Sequence, residues 1–277
     1  MKPIIDAQEF NTLNKAKFIL FDVSAGSRPR YDSEHLKGAF YIDLNTDLAK
    51  IDDYAKGGRH PLPLLDDYFK VLESFGVTKD SHVILYDDKN GANAAARFWW
   101  MLRSIGHEKV QVINGGYQAA LAAGFPVSLD VGSPKPSIYL RTKEWQLKTA
   151  TIAEVQLARE STKNLIIDVR DADRFAGLTE PIDLIAGHIP DAINVPFTEN
   201  LDANGLFLFA DDLAKKYQII VGDLDIDDII VHCGSGVTAC HTLLAFDYAG
   251  LGIPRLYVGS WSEWSRSNNL SVTRPGL

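Results

Sequence analysis

The chain repeats itself once, and this limits its fold more than any other feature. Phe18-Ile-Leu-Phe-Asp-Val23 returns as Leu165-Ile-Ile-Asp-Val169, each a short apolar run closing on Asp-Val. Val83-Ile-Leu-Tyr-Asp87 returns as Ile229-Ile-Val-His-Cys233, and the interval from Asp87 to Cys233 equals that from Asp22 to Asp168. Between these landmarks Glu34-His-Leu-Lys-Gly-Ala39 answers to Gly187-His-Ile-Pro-Asp-Ala192, and Val112-Ile-Asn-Gly-Gly-Tyr117 to Leu256-Tyr-Val-Gly-Ser-Trp261. A fixed interval shared by several motifs marks a duplicated structural unit. Within each copy, β-branched runs alternate with helical patterns such as Ala94–Ile105 and Ala239–Leu251. That alternation predicts an α/β fold in which each copy builds a mainly parallel sheet flanked by helices. A chain of 277 residues is long enough for two such domains. The breaker-rich stretch Val131-Gly-Ser-Pro-Lys-Pro-Ser137 places the joint, giving domains over 1–130 and 148–277 with a linker over 131–147.

Composition narrows the partners. An apolar fraction of 46% with 23% charged residues supplies ample core for a globular protein. The net charge of −8 argues against nucleic acid or an anionic membrane as the main partner, so an anionic substrate would need locally arranged cations. The first ten residues turn polar too early for a secretory leader, and no apolar run approaches the roughly 18 residues of a membrane span. Cytoplasmic residence is the expectation. Two cysteines form no disulfide framework, and a reducing compartment keeps a lone thiol reactive.

The chemistry concentrates in His232-Cys-Gly-Ser-Gly-Val-Thr-Ala239. A buried-looking strand, Asp228–His232, runs into Cys233 and a glycine-interrupted loop, after which a helix begins near Ala239. Ligands of open α/β sheets collect at the carboxyl ends of strands, and a helix N-terminus there favours thiolate over thiol. The loop would turn several N–H groups toward a thiolate or persulfide, with Gly234, Gly236, Val237 and Thr238 forming the cradle. A cysteine phosphatase would need arginine six residues after the cysteine, where Ala239 stands. A zinc site from His232, Cys233, Cys240 and His241 has suitable ligand types but an unfamiliar spacing, and the Gly-Lys-Ser/Thr of a nucleotide loop is missing. A nucleophilic cysteine remains.

These residues resemble the rhodanese superfamily, in particular the tandem-domain thiosulfate and 3-mercaptopyruvate sulfurtransferases, over nearly the whole chain. The resemblance rests on Tyr31-x3-His35-Leu-Lys-Gly-Ala39, Gly187-His-Ile-Pro190, Cys233-Gly-Ser-Gly-Val-Thr238 and Gly259-Ser-Trp-Ser-Glu-Trp264. Lys37, Asp191 and Val258 depart from the family pattern at turns. Asp87 holds the cysteine position of the first domain, which implies a non-catalytic copy. The resemblance implies a ping-pong cycle in which Cys233 takes sulfur from a small anionic donor, becomes a persulfide and passes the sulfur on. Cyanide, a small thiol or a thioredoxin-like protein would accept it, and no metal or organic cofactor is required. A sulfur-carrier or regulatory binding module without turnover is the alternative.

Uncharged Gly234 and Ser235 after the cysteine are similar to the mercaptopyruvate type, whereas thiosulfate enzymes often place cations there. The same resemblance implies that Ser235 acts with a histidine and an aspartate on the donor carbonyl. His60, in Gly57-Gly-Arg-His-Pro-Leu-Pro63, and Asp43 are the candidates, with Asn45 the alternative to Asp43. Arg59 could meet a carboxylate, and Arg170 and Arg174 resemble family arginines near the pocket, suited to planar anions. Ile182 stands where several mercaptopyruvate enzymes carry arginine, which keeps thiosulfate open as donor. Trp99, Trp100, Trp261 and Trp264 are expected to pack, and Cys240 to be a small core residue.

Overall fold

A computed structural model describes residues 1–267 and 272–273. The chain divides into two compact units. One comprises 1–50, 63–147 and 203–207; the other comprises 51–62, 148–202 and 208–277. The stretch 51–62 is thus grouped with the second half of the sequence, and 203–207 with the first.

In the first unit five parallel strands lie in the order Ile4–Ile5, Val110–Ile113, Val83–Tyr86, Ile19–Asp22, Ala39–Tyr41. The second unit repeats that order with Thr149–Ala150, Arg255–Tyr257, Ile229–His232, Leu165–Asp168 and Ile193–Asn194, again all parallel. The central strands Val83–Tyr86 and Ile229–His232 are buried along their full length, as near-continuous apolar runs covered on both faces should be. Cross-strand register carries the repeat to the atomic level: Tyr86 pairs with Asp22, and His232 with Asp168.

Each central strand leads through a loop to a ten-residue helix, Ala95–Ser104 or Ala239–Tyr248. In the second, Ala239 through Phe246 are buried without interruption. A helix enclosed on all sides carries no polar stripe, and its sequence Ala-Cys-His-Thr-Leu-Leu-Ala-Phe has none. Trp261 and Trp264 join Ile166, Ile189, Ile230 and Tyr257 in the core of this unit, and Trp99 and Trp100 are equally enclosed in the other. Cys240 is buried, its Sγ–H donating to the Gly236 carbonyl at 3.4 Å, as a core residue that also steadies the loop. Among the described residues no helix is long and apolar enough to cross a membrane.

Candidate active site

Cys233 leaves the carboxyl end of the central strand of the second unit and is 3% exposed. Its backbone is fixed from both sides. The Cys233 N–H donates to Ser260 Oγ at 3.2 Å, and its carbonyl accepts from the Trp261 N–H at 3.0 Å. The Gly234 carbonyl accepts from the Ser262 N–H at 2.8 Å. The short helix Ser260–Trp264 therefore turns its first amides onto the start of the cysteine loop. Ser260 holds φ at 53°, unusual for a residue with a side chain, while its hydroxyl donates to the Tyr257 carbonyl at 2.8 Å. Gly236 has φ of 72°, and a Cβ there would lie 2.5 Å from the Val258 carbonyl oxygen, so only glycine closes this turn. No described hydrogen bond uses the N–H of Ser235, Val237 or Thr238, and the Thr238 side chain does not cap the helix that follows.

The equivalent loop of the first unit is filled. Asp87 Oδ1 accepts from the N–H groups of Lys89 and Gly91 at 2.9 and 2.8 Å, and Oδ2 from those of Asn93 and Ala95 at 3.0 and 3.1 Å. Burial pushes the Asp87 carboxyl up, more than these four bonds pull it down.

His60 reaches the loop from the segment 51–62. Its Nδ1 lies 2.8 Å from Ser235 Oγ, and Ser235 is 6% exposed. Two contacts pin that segment: Gly57 N–H donates to Glu263 Oε1 at 2.7 Å, and Arg59 N–H to Ser262 Oγ at 3.0 Å. Gly58 makes the approach possible, since at its φ of 78° a Cβ would stand 2.3 Å from the Gly259 carbonyl oxygen.

Arg59 and Arg174 converge on Gly234, where an added Cβ would meet Arg59 Nη2 at 3.0 Å and Arg174 Nη2 at 3.6 Å. Both guanidinium groups pair with Asp183, and Arg174 also with Glu180 at 2.8 Å. Ile182 turns to solvent, so the cations beside Gly234 come from positions 59 and 174.

Arg170 departs from expectation. Its side chain is 1% exposed, forked onto Asp168 at 2.7 to 3.1 Å, bonded to Glu180 at 3.2 Å and to the Gly187 carbonyl at 2.8 Å. The guanidinium also lies 4.8 Å over the Trp261 ring. The guanidinium is thus fully engaged by protein partners, where a substrate-binding group was expected. Burial would raise the Asp168 carboxyl, but His232 and Arg170 outweigh it and hold it below its ordinary value. Burial lowers His232 in turn, against the pull of Asp168; its Nδ1 lies 3.2 Å from the Cys233 carbonyl oxygen.

Asp43 belongs to the other unit. Its carboxylate accepts from the N–H groups of Asn45 and Thr46 at 2.8 and 3.1 Å, closing a local turn. Asp183, Glu180, Ser260, Ser262 and Glu263 were not singled out from sequence as site residues. Asp183 and Glu180 stand in a stretch without periodicity, and the side chains of the others accept from backbone N–H groups, which carry no residue-type signal in the sequence. No three His, Cys, Asp or Glu side chains gather to hold a metal ion among the described residues.

The Rhodanese-like domain family matches the chain twice, over residues 6–123 and 151–267. The chain belongs to the rhodanese family, with two such domains in tandem. It is 39% identical to a probable 3-mercaptopyruvate sulfurtransferase of Pseudomonas aeruginosa, covering 90% of this chain and 87% of the relative. A thiosulfate sulfurtransferase of Cricetulus griseus is 33% identical, with 86% and 80% covered. The solved 3-mercaptopyruvate sulfurtransferase of Leishmania major superposes with a TM-score of 0.83 at 32% identity, covering 95% of this chain and 74% of that one.

Proposed function

We propose that this protein is a sulfurtransferase that takes sulfur from 3-mercaptopyruvate on Cys233 and delivers it to a thiol or to cyanide. The observation that carries this reading is the 2.8 Å contact between Ser235 Oγ and His60 Nδ1, one residue beyond a Gly234 flanked by two arginines. A hydroxyl paired with an imidazole suits a donor with a carbonyl, and a pair of guanidinium groups suits its carboxylate.

The Cys233 thiolate attacks the donor sulfur and forms the S–S bond. The carbon–sulfur bond breaks, and its electron pair passes to carbon as the enolate of pyruvate. Ser235 with His60 stabilises the enolate oxygen and relays the proton that converts it to pyruvate. The persulfide is held among the amides of Ser235, Val237 and Thr238. An acceptor thiolate then attacks the outer sulfur and releases the Cys233 thiolate, which completes a covalent two-stage cycle. With thiosulfate the same attack would release sulfite, a leaving group with no carbonyl for Ser235 and His60 to act on.

The first domain has a carboxylate in place of the thiol and forms no persulfide. The acceptors are small thiols, cyanide or a thioredoxin-like protein, and the compartment is the reducing cytoplasm. Parallel assays with 3-mercaptopyruvate and thiosulfate, each with cyanide and with a small thiol, test the assignment. A clear preference for 3-mercaptopyruvate and its loss in Cys233→Ser are expected. Equal or reversed preference would overturn the donor, and turnover by the serine variant would overturn the nucleophile.

A further inference from the structure

We infer that Asp183 is a positioning residue that places Arg59 and Arg174 for the donor's carboxylate, an inference that deepens the reading of the site given above. The Asp183 side chain is wholly buried among three arginines. It takes Arg59 side-on, Nε to Oδ1 at 3.0 Å and Nη2 to Oδ2 at 3.4 Å. It also accepts from Arg174 Nη2 at 3.3 Å and from Arg266 Nη1 at 3.4 Å, the latter bonded in addition to the Ser262 carbonyl at 2.7 Å.

A guanidinium presents two forked edges, and the side-on pairing uses one of them. The remaining edge of Arg59, with Nη1, has no partner among the described residues. A Cβ on Gly234 would lie 3.0 Å from Arg59 Nη2, 3.5 Å from Asp183 Oδ2 and 3.6 Å from Arg174 Nη2, so the three groups meet at the residue after Cys233. Asp183 is held in turn: its N–H and that of Ile182 donate to Glu180 Oε1 at 2.9 and 3.1 Å. Glu180 is paired with Arg174 and Arg170, and Arg170 with Asp168 on the strand beside the one that ends at Cys233. A line of alternating charges thus runs from the sheet to the face of Gly234.

The sign of the effect separates positioning from simple charge. Asp183 is an anion beside an anion-binding site, so if it only neutralised the arginines, its removal would tighten the binding of a carboxylate. If it places them, its removal weakens that binding although the site becomes more positive.

The test is protection of Cys233 from iodoacetamide, a neutral reagent, by pyruvate, a carboxylate that carries no sulfur. In Asp183→Asn the pyruvate concentration giving half protection should rise about tenfold or more, with a parallel rise in KM for 3-mercaptopyruvate. The alkylation rate without pyruvate and kcat should stay within about threefold, on the scale where tenfold is 1.4 kcal/mol. Adding Arg59→Ala to Asp183→Asn should cost little more than Arg59→Ala alone, because the two act through one group. Unchanged or improved protection would overturn the inference, as would a bare alkylation rate that falls together with it. Should the Asn variant fail to fold, Asp183→Glu keeps the charge, displaces Arg59 and should show the same loss of protection. A wild-type protein protected by pyruvate yet inactive on 3-mercaptopyruvate would refute the proposed reaction and leave the role of Asp183 standing.

Discussion

The Asp87 carboxylate and the Cys233 thiol end equivalent central strands, and the carboxylate binds four loop amides where, beside the thiol, no described hydrogen bond uses the N–H of Ser235, Val237 or Thr238. The first domain therefore carries its own anion, covalently attached, where the second would hold a transferred sulfur. Removing that anion exposes what it satisfies. Asp87→Ala should lower unfolding stability by roughly 3–5 kcal/mol, because buried N–H groups are left without acceptors. Urea titration of the variant measures it, and a loss below about 1 kcal/mol would show that water or loop movement replaces the carboxylate.

Ser235 and His60 are expected to act as one device. Ser235→Ala and His60→Ala should each reduce kcat on 3-mercaptopyruvate by about a hundredfold, with the double variant close to either single one. Iodoacetamide should still alkylate Cys233 in all three. Full additivity in the cycle would mean that the 2.8 Å contact has no part in turnover.

Gly58 links the fold to that device. A methyl there would stand 2.3 Å from the Gly259 carbonyl oxygen at a φ of 78°, so Gly58→Ala must move the segment that carries Arg59 and His60. The expected result is a kcat as low as that of His60→Ala, with a melting temperature lowered by only a few degrees, roughly 1–2 kcal/mol. Near-normal turnover would show that the segment reaches Ser235 without this close approach.

Acid should destabilise the second domain. Burial raises Asp168 and Glu180, but His232 and Arg170 around the first outweigh it. Around the second, the Asp183 and Ile182 amides and Arg174 do so, and both carboxyls lie below their ordinary values. The folded form then binds these protons more weakly than the unfolded chain. Their contribution is complete above the unfolded-state values and is lost as pH falls through the lowered folded ones. Asp87, which burial raises, has the opposite sign: its contribution is complete below its unfolded value and is lost as pH rises through the raised folded one. Burial lowers His232 as well, so urea midpoints should be nearly flat only above about pH 7.5, decline as pH falls below about 6.5, and fall further below about pH 4.5, the last step less steep in Glu180→Gln. A variant with the wild-type slope would remove Glu180 from the account.

Sequence carried the scaffold of this result well. The apolar runs that end at Asp22, Asp87, Asp168 and Cys233 became strands in two sheets of one topology, because buried parallel strands write themselves as short β-branched runs. The cysteine loop was legible for a similar reason: its glycines answer to local geometry. What sequence hid was long-range pairing. Arg170 read as an arginine for a planar anion until Asp168, Glu180 and Gly187 enclosed it, and two of the three arginines around Asp183 come from stretches far away in the chain. Nothing local to Asp43 distinguishes a carboxylate that closes a turn from one aimed at a histidine.

The grouping of residues 51–62 with the second unit has a consequence for how this protein could be divided. A cut in the stretch 131–147 would respect the duplication but would strand Arg59 and His60 with the wrong half. The severed C-terminal piece would be a thiol with its cradle and without its partners, able to hold sulfur yet poorly able to choose where it comes from. A boundary that follows the repeat is therefore not the boundary that follows the site, and any division of the chain that keeps the site whole has to carry residues 51–62 with Cys233.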